Sequence, residues 1–252
     1  TMIAQAVSAF LVMRQLIHTR EAYRVEIKKI RFHKDMTRQI ILVGLPAAFQ
    51  QSITAFSNVI VQSYINSFGT AAIAGYSTTI RIDGFLQLIL QSFNMTITTF
   101  VGQNIGAGKL ERVKKGMLTA WIMCSVLIVG GCFLMNCGGA ALVSLFTNDV
   151  DVMAESMSII RFLVPFWFCY ICVNVYPCTL RGVGDALIPM LIICVGTCIL
   201  RVIWVFGAGA VHPGLYTTLT SYPLSWSITS LAFLVYYYRF SAMRKLNKLI
   251  EE

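Results

Sequence analysis

The chain has 252 residues, of which 57% are hydrophobic and only 12% charged, and its mean hydropathy is +0.71. That excludes a soluble globular domain, in which charged residues make up about a quarter, and describes a polytopic membrane protein. The net charge of +9 sits in short segments between apolar stretches and not on one face of a domain, so it speaks for membrane orientation and against nucleic acid as a partner.

Thr1 opens inside an apolar run, residues 2–13, that is shorter than the ~20 residues a helix needs to cross a bilayer. Residues 1–17 therefore read as a truncated span whose preceding part is missing. Residues 18–38 form a basic connector with Arg20, Arg24, Lys28, Lys29, Arg31, Lys34 and Arg38. Leu16, Tyr23, Ile27 and Ile30 recur at helical spacing, which predicts an amphipathic helix on the membrane surface; His18 and His33 read as solvated. Six full spans follow, at 39–67, 72–101, 113–136, 152–180, 187–208 and 214–238, and residues 239–252 form a tail. The expected fold is all-α, a polytopic membrane bundle with one six-helix lobe (39–238) and the remnant of the preceding span.

Alternate connections hold the basic residues: Arg14 and the connector, then Lys109, Arg112, Lys114 and Lys115, then Arg181, then Arg239, Arg244, Lys245 and Lys248, seventeen of the twenty Lys and Arg. The intervening loops, near Gly69, between Asn136 and Asp151 and near His212, hold none. By the positive-inside rule the connector and C-terminus are cytoplasmic, in a multi-pass protein of the cell (plasma or inner) membrane.

The three remaining arginines, Arg81, Arg161 and Arg201, fall inside spans, as does Asp83, the one acid placed deep in any span. A charge at bilayer depth costs ~2.5–3.5 kcal/mol on insertion scales, which points to partners or a task. Gln51, Thr54, Asn58 and Gln62 lie on one face of the first full span. Thr79, Asp83, Gln87, Gln91, Asn94 and Thr98 form a stripe on the second. Two such stripes on adjacent helices predict a water-accessible cavity. Asp83 either cycles a proton or forms a structural ion pair. Arg81, two residues away, points elsewhere, so Arg161 or Arg201 is the expected partner, and the pair is the favoured reading.

Pro46, Pro165, Pro177, Pro189 and Pro223 predict bends within or beside spans. The eight cysteines lie mostly in apolar segments as small hydrophobes. Cys169 and Cys172 have CxxC spacing but no second pair or nearby His, so no metal site is expected.

Residues 102–109 (GQNIGAGK) superficially resemble a phosphate-binding loop, but Gln103 and Leu110 stand where that motif needs Gly and Ser or Thr, and no strand precedes them. The same Gly102, Gln103, Asn104, Gly106 and Gly108, followed by Arg112, Lys114 and Lys115, resemble a signature of the multidrug and toxic compound extrusion (MATE) family. Arg181, Gly182 and Gly184, with Asp185 and Pro189, resemble a second, and Gly44 with Pro46 a third. Their order and spacing are similar to the C-terminal half of that family, most of all its bacterial MepA-like branch.

The resemblance implies one six-helix lobe of a twelve-span antiporter. Such a protein exports cationic amphiphiles from between two lobes in exchange for H+ or Na+, without a cofactor, and the partner is the missing N-terminal lobe in a lipid bilayer. One departure is that several members carry a carboxylate midway along the first span of this lobe, where this chain reads Gln50, Gln51, Ser52 and Thr54. A lipid-linked saccharide flippase of the same superfamily is an alternative, since it places more cations in its cavity; a non-transport membrane module is another. An enzyme is not expected: it would need clustered His, paired acids or a nucleophile with its base at membrane depth, and the only His beyond the connector is His212, beside Pro213.

Overall fold

The computed structural model describes residues 2–21 and 24–239, and these contain helices and turns but no strand. Tyr23 of the connector stripe and the tail beyond Arg239 lie outside the described residues. Two compact units are present, Thr1–Ile41 and Leu42–Glu252.

In the first unit, α1 (Met2–His18) ends where the chain folds back on it: Val25 N–H donates to Leu16 O at 3.0 Å and Arg24 Nε to Ile17 O at 3.1 Å, satisfying carbonyls that a helix end leaves free. Among the described residues of the connector the expected amphipathic helix is not formed. Leu16 belongs to α1, and the Thr19 hydroxyl takes the Glu21 N–H, which breaks the helical register. Of the connector's other described residues, Ile27–Lys29 form a 3-10 turn, with Ile27 and Ile30 exposed, and residues 34–38 already belong to the next helix. Lys29 sits 2.8 Å from Glu26 and holds that carboxyl below its ordinary pKa.

The second unit contains most of α2 (Lys34–Ile65), then α3 (Thr70–Gly106), α4 (Leu110–Ser144), α5 (Val150–Leu163) with α6 (Trp167–Gly182), α7 (Leu187–Ile193) with α8 (Leu200–Val211), and α9 (Leu215–Leu219) with α10 (Ser221–Arg239). These are six helical segments that overlap the six ranges read from sequence, with α2 beginning earlier, at Lys34, and α4 running on to Ser144. Lys34–Phe68, Leu110–Ser144, Val150–Gly182 and Leu187–Val211 are long and apolar enough to cross a membrane by length and composition. The polar stripe of α3 and the Ser, Thr and Tyr residues of α10 lower hydropathy in the other two. At 37 residues α3 is ~55 Å long, well beyond a ~30 Å hydrocarbon core, so its ends emerge or it tilts.

The expected bends have separate causes. A 3-10 turn, Val164–Phe166, carries Pro165 and joins α5 to α6, and Pro177 interrupts the ladder of α6. Pro189 and Pro223 instead fall in the first turns of α7 and α10, where the missing N–H costs nothing. Between α7 and α8 the backbone widens into a π turn, Cys194–Ile199, in which Gly196 lets Thr229 of α10 approach closely.

The two glycine signatures do the same mechanical work. At the end of α3, Lys109 N–H bonds Asn104 O and Gly108 N–H bonds Ile105 O; at the end of α6, Asp185 N–H bonds Leu180 O and Gly184 N–H bonds Arg181 O. Each is a Schellman cap that needs a left-handed residue, supplied by Gly108 (φ +68°) and Gly184 (φ +94°). The capped ends pack together: a Cβ on Gly182 would lie 2.7 Å from Val101 Cβ and 2.9 Å from Thr98 O, and one on Gly102 would lie 3.6 Å from Gly182 O. Around this contact the core of α3, α4, α6 and α10 gathers Leu90, Ile97, Val101, Val113, Ile128, Trp167, Val175 and Trp226. Ile122, Val126, Val129 and Phe133 of α4 face outward, as a lipid-exposed surface requires.

Candidate substrate and ion cavity

α2 meets the other spans through Val61 and Ile65, which pack with Tyr76, Ile159, Val205 and Leu219, and elsewhere through polar bonds. Gln50 Oε1 accepts from Arg181 Nη2 at 2.5 Å, Thr54 Oγ1 lies 3.6 Å from Cys198 Sγ, and Asn58 Oδ1 accepts from Arg201 Nη1 at 2.9 Å. Between α2, α3, α6, α8 and α10 lies a cavity of about 950 Å³. Its α2 lining runs from Gln50 to Ser63, a rise of ~20 Å.

Both predicted stripes face this cavity. Gln51, Thr54, Asn58 and Gln62 line it from α2, and Thr79, Asp83, Gln87, Gln91 and Asn94 from α3. Thr98, at the end of the stripe, instead donates to Asn94 O and Cys178 O, tying α3 to α6. Asn94 Nδ2 donates to Asn174 Oδ1 at 3.0 Å. Asp83 takes a hydrogen bond from Gln87 one turn on and is the single acid in the lining.

The three arginines placed inside spans do not gather at Asp83. Arg81 and Arg161 are exposed and do not line the cavity. Arg201 lines it but gives its N–H groups to Asn58 and Ser225 and stacks over the Tyr222 ring at 4.2 Å. Among the described residues the two ion pairs are Lys29 with Glu26 and Lys114 with Glu111, so the favoured Asp83 to arginine pair does not form. The Tyr76 and Tyr222 hydroxyls, hydrogen-bonded to each other, belong to the same lining, and the Tyr222 ring carries the Arg201 guanidinium.

Several lining residues were not singled out from sequence. Tyr76, Tyr170, Tyr222, Trp167 and Trp226 form an aromatic wall, with Tyr170 and Trp226 centroids 5.1 Å apart and Tyr222 and Trp226 5.7 Å apart. In a chain this apolar they read as ordinary packing. Arg181, counted as a loop cation, is partly buried and faces the cavity; its place in a span end next to Gly182 was the available signal. Of the other motif residues, Asn104 is buried and bonds its own helix through Phe100 O, Pro46 lies inside α2, and Gly44 and Gly106 adjoin open space.

The sequence profile of the MatE family matches residues 46–206, more than half of the chain. The chain belongs to the MatE family. Among curated MatE relatives, the probable multidrug resistance protein YoeA of Bacillus subtilis (strain 168) is 21% identical over 75% of this chain and 42% of its own length. The multidrug export protein MepA of Staphylococcus aureus (strain MSSA476) is 23% identical over 64% and 36%. The probable multidrug resistance protein NorM of Thermotoga maritima is 23% identical over 72% and 39%. The chain thus spans about two-fifths of the length of these relatives. Among solved structures, the outward-facing conformation of a multidrug resistance MATE family transporter of the MOP superfamily superposes with a TM-score of 0.84 at 17% identity, covering 96% of this chain and 55% of that one. A MOP superfamily transporter from Pyrococcus furiosus, described as having a binding pocket of reverse polarity, gives 0.71 at 18% identity over 80% and 45%. At these identities the likeness is one of fold, an integral membrane helical bundle of the MatE type.

Proposed function

We propose that this chain is one lobe of a secondary-active exporter of amphiphilic organic compounds bearing a cationic group, driven by entry of H+ or Na+. The observation that carries the reading is Asp83: a lone carboxylate on a cavity of about 950 Å³, held by Gln87 and engaged in no ion pair. Such a group can hold a substrate cation or a coupling ion, one at a time. The aromatic wall offers apolar faces and π electron density to the substrate body. The relatives named as multidrug export or resistance proteins support the same reading.

The partner is a second, N-terminal six-helix lobe that faces this cavity from beside it in the bilayer, as transporter repeats place their sites between halves near the midplane. The alternation of basic loops supports a plasma or inner membrane location with connector and C-terminus cytoplasmic. The chain expressed alone is expected to insert into membranes without lowering accumulation of a cationic dye, and joined to such a lobe to lower it. Dye efflux by the chain alone, as a monomer, would contradict the proposal.

A further inference from the structure

Arg201 is the least explained charge in the protein. Its side chain is 3% exposed and leaves α8 directly after the π turn. Asn58 accepts from Nη1 at 2.9 Å and Ser225 Oγ from Nη2 at 3.3 Å, the Tyr222 ring lies under the guanidinium, and Nε is buried with no partner. All these partners are neutral, so they orient the group without neutralising it, and a guanidinium stays charged at any relevant pH. A buried cation without countercharge is costly, and none of the described ion pairs involves it.

We infer that Arg201 anchors an anion-binding subsite of the cavity, which takes the carboxylate, sulfonate or phosphate of a zwitterionic amphiphile whose cationic group lies at Asp83. The inference rests on the exporter reading for the Asp83 end. Asn58 completes the subsite: its Oδ1 is engaged by Arg201, while its amide N–H groups have no partner among the described residues and border the cavity. Asp83 and Arg201 form no ion pair, and the hydrogen-bonded Tyr76 and Tyr222 share the lining with them. Arg181 is a separate point: its partner Gln50 precedes Asn58 by eight residues on α2, ~12 Å along the axis, too far for one anion to bridge. The lining's charged groups are thus one carboxylate and two guanidiniums, a balance that suits a zwitterion better than a simple cation.

The test compares rhodamine B, zwitterionic at neutral pH, with its cationic ethyl ester, by fluorescence polarisation on the complete transporter in phosphatidylglycerol nanodiscs. Arg201→Gln is expected to weaken rhodamine B roughly ten- to a hundredfold and the ester by less than about twofold. Asn58→Asp, which supplies an internal countercharge and so keeps the fold if Arg201→Gln does not, is expected to weaken rhodamine B selectively as well. Equal loss of both dyes in both variants would make Arg201 structural and overturn the subsite. Wild-type binding of the ester alone would also overturn it while leaving the exporter reading intact; binding of neither dye would instead count against that reading. Unchanged rhodamine B affinity in phosphatidylethanolamine nanodiscs assigns the subsite to soluble zwitterions. A loss there, to a headgroup with the same two charges, would overturn that source in favour of the lipid.

Discussion

Asp83→Asn in the complete transporter is expected to reduce ion-driven export roughly ten- to a hundredfold, the equivalent of losing one charged contact of ~1.5–3 kcal/mol. Expression and folding should be unchanged. The second half of that expectation comes from the geometry: the carboxylate touches Gln87 and no arginine, so the isosteric amide leaves no buried cation stranded. Had Asp83 been bound to Arg201, the same substitution would have cut the yield, and neutralising the arginine would have restored it. Transport assays in proteoliposomes with an imposed proton or sodium gradient, beside size-exclusion yield, separate the cases. Normal transport with normal yield would remove Asp83 from the mechanism.

The second large effect concerns packing. Gly182→Ala is expected to destabilise the lobe by ~1–3 kcal/mol, because the added methyl meets Val101 Cβ at 2.7 Å and the Thr98 carbonyl at 2.9 Å. Neither can give way cheaply. One is the branch point of a buried side chain and the other is backbone, and the neighbouring Thr98 to Cys178 bond of 3.2 Å fixes the two helices at this spacing. Gly106→Ala, whose methyl would enter open space, is the control and should be near neutral. Thermal unfolding in detergent reads the contrast at ~2–4 °C per kcal/mol. Equal midpoints for the two variants would show that the α3 to α6 contact can relax.

The spans and both polar stripes were legible in the sequence because each has a period. Apolar length sets a helix that must satisfy its own backbone in lipid, and Gln51, Thr54, Asn58 and Gln62 repeat with the helical turn. What had no period was lost. Tyr76 and Tyr222 become cavity residues only because α3 and α10 bring their hydroxyls together from 146 residues apart. Depth along a span was readable for Arg81, Arg161 and Arg201, but facing was not; the bundle turns two of them outward and one inward. Arg181 was readable as a cation at a helix end, but its reach into the cavity depends on Gln50 standing opposite. The connector stripe failed for a local reason, since Thr19 and Glu21 close a turn that spacing alone does not reveal.

Substrate cation and coupling ion, on this mechanism, share Asp83 in turn. Equilibrium binding of tetraphenylphosphonium to the purified complete transporter, measured as pH falls and as sodium rises, tests it most directly. Affinity is expected to weaken along at least one of these series in the wild type, because the proton or sodium ion takes the carboxylate, and Asp83→Asn is expected to bind weakly and independently of both. Tight binding by Asp83→Asn with the wild-type ion dependence would contradict it.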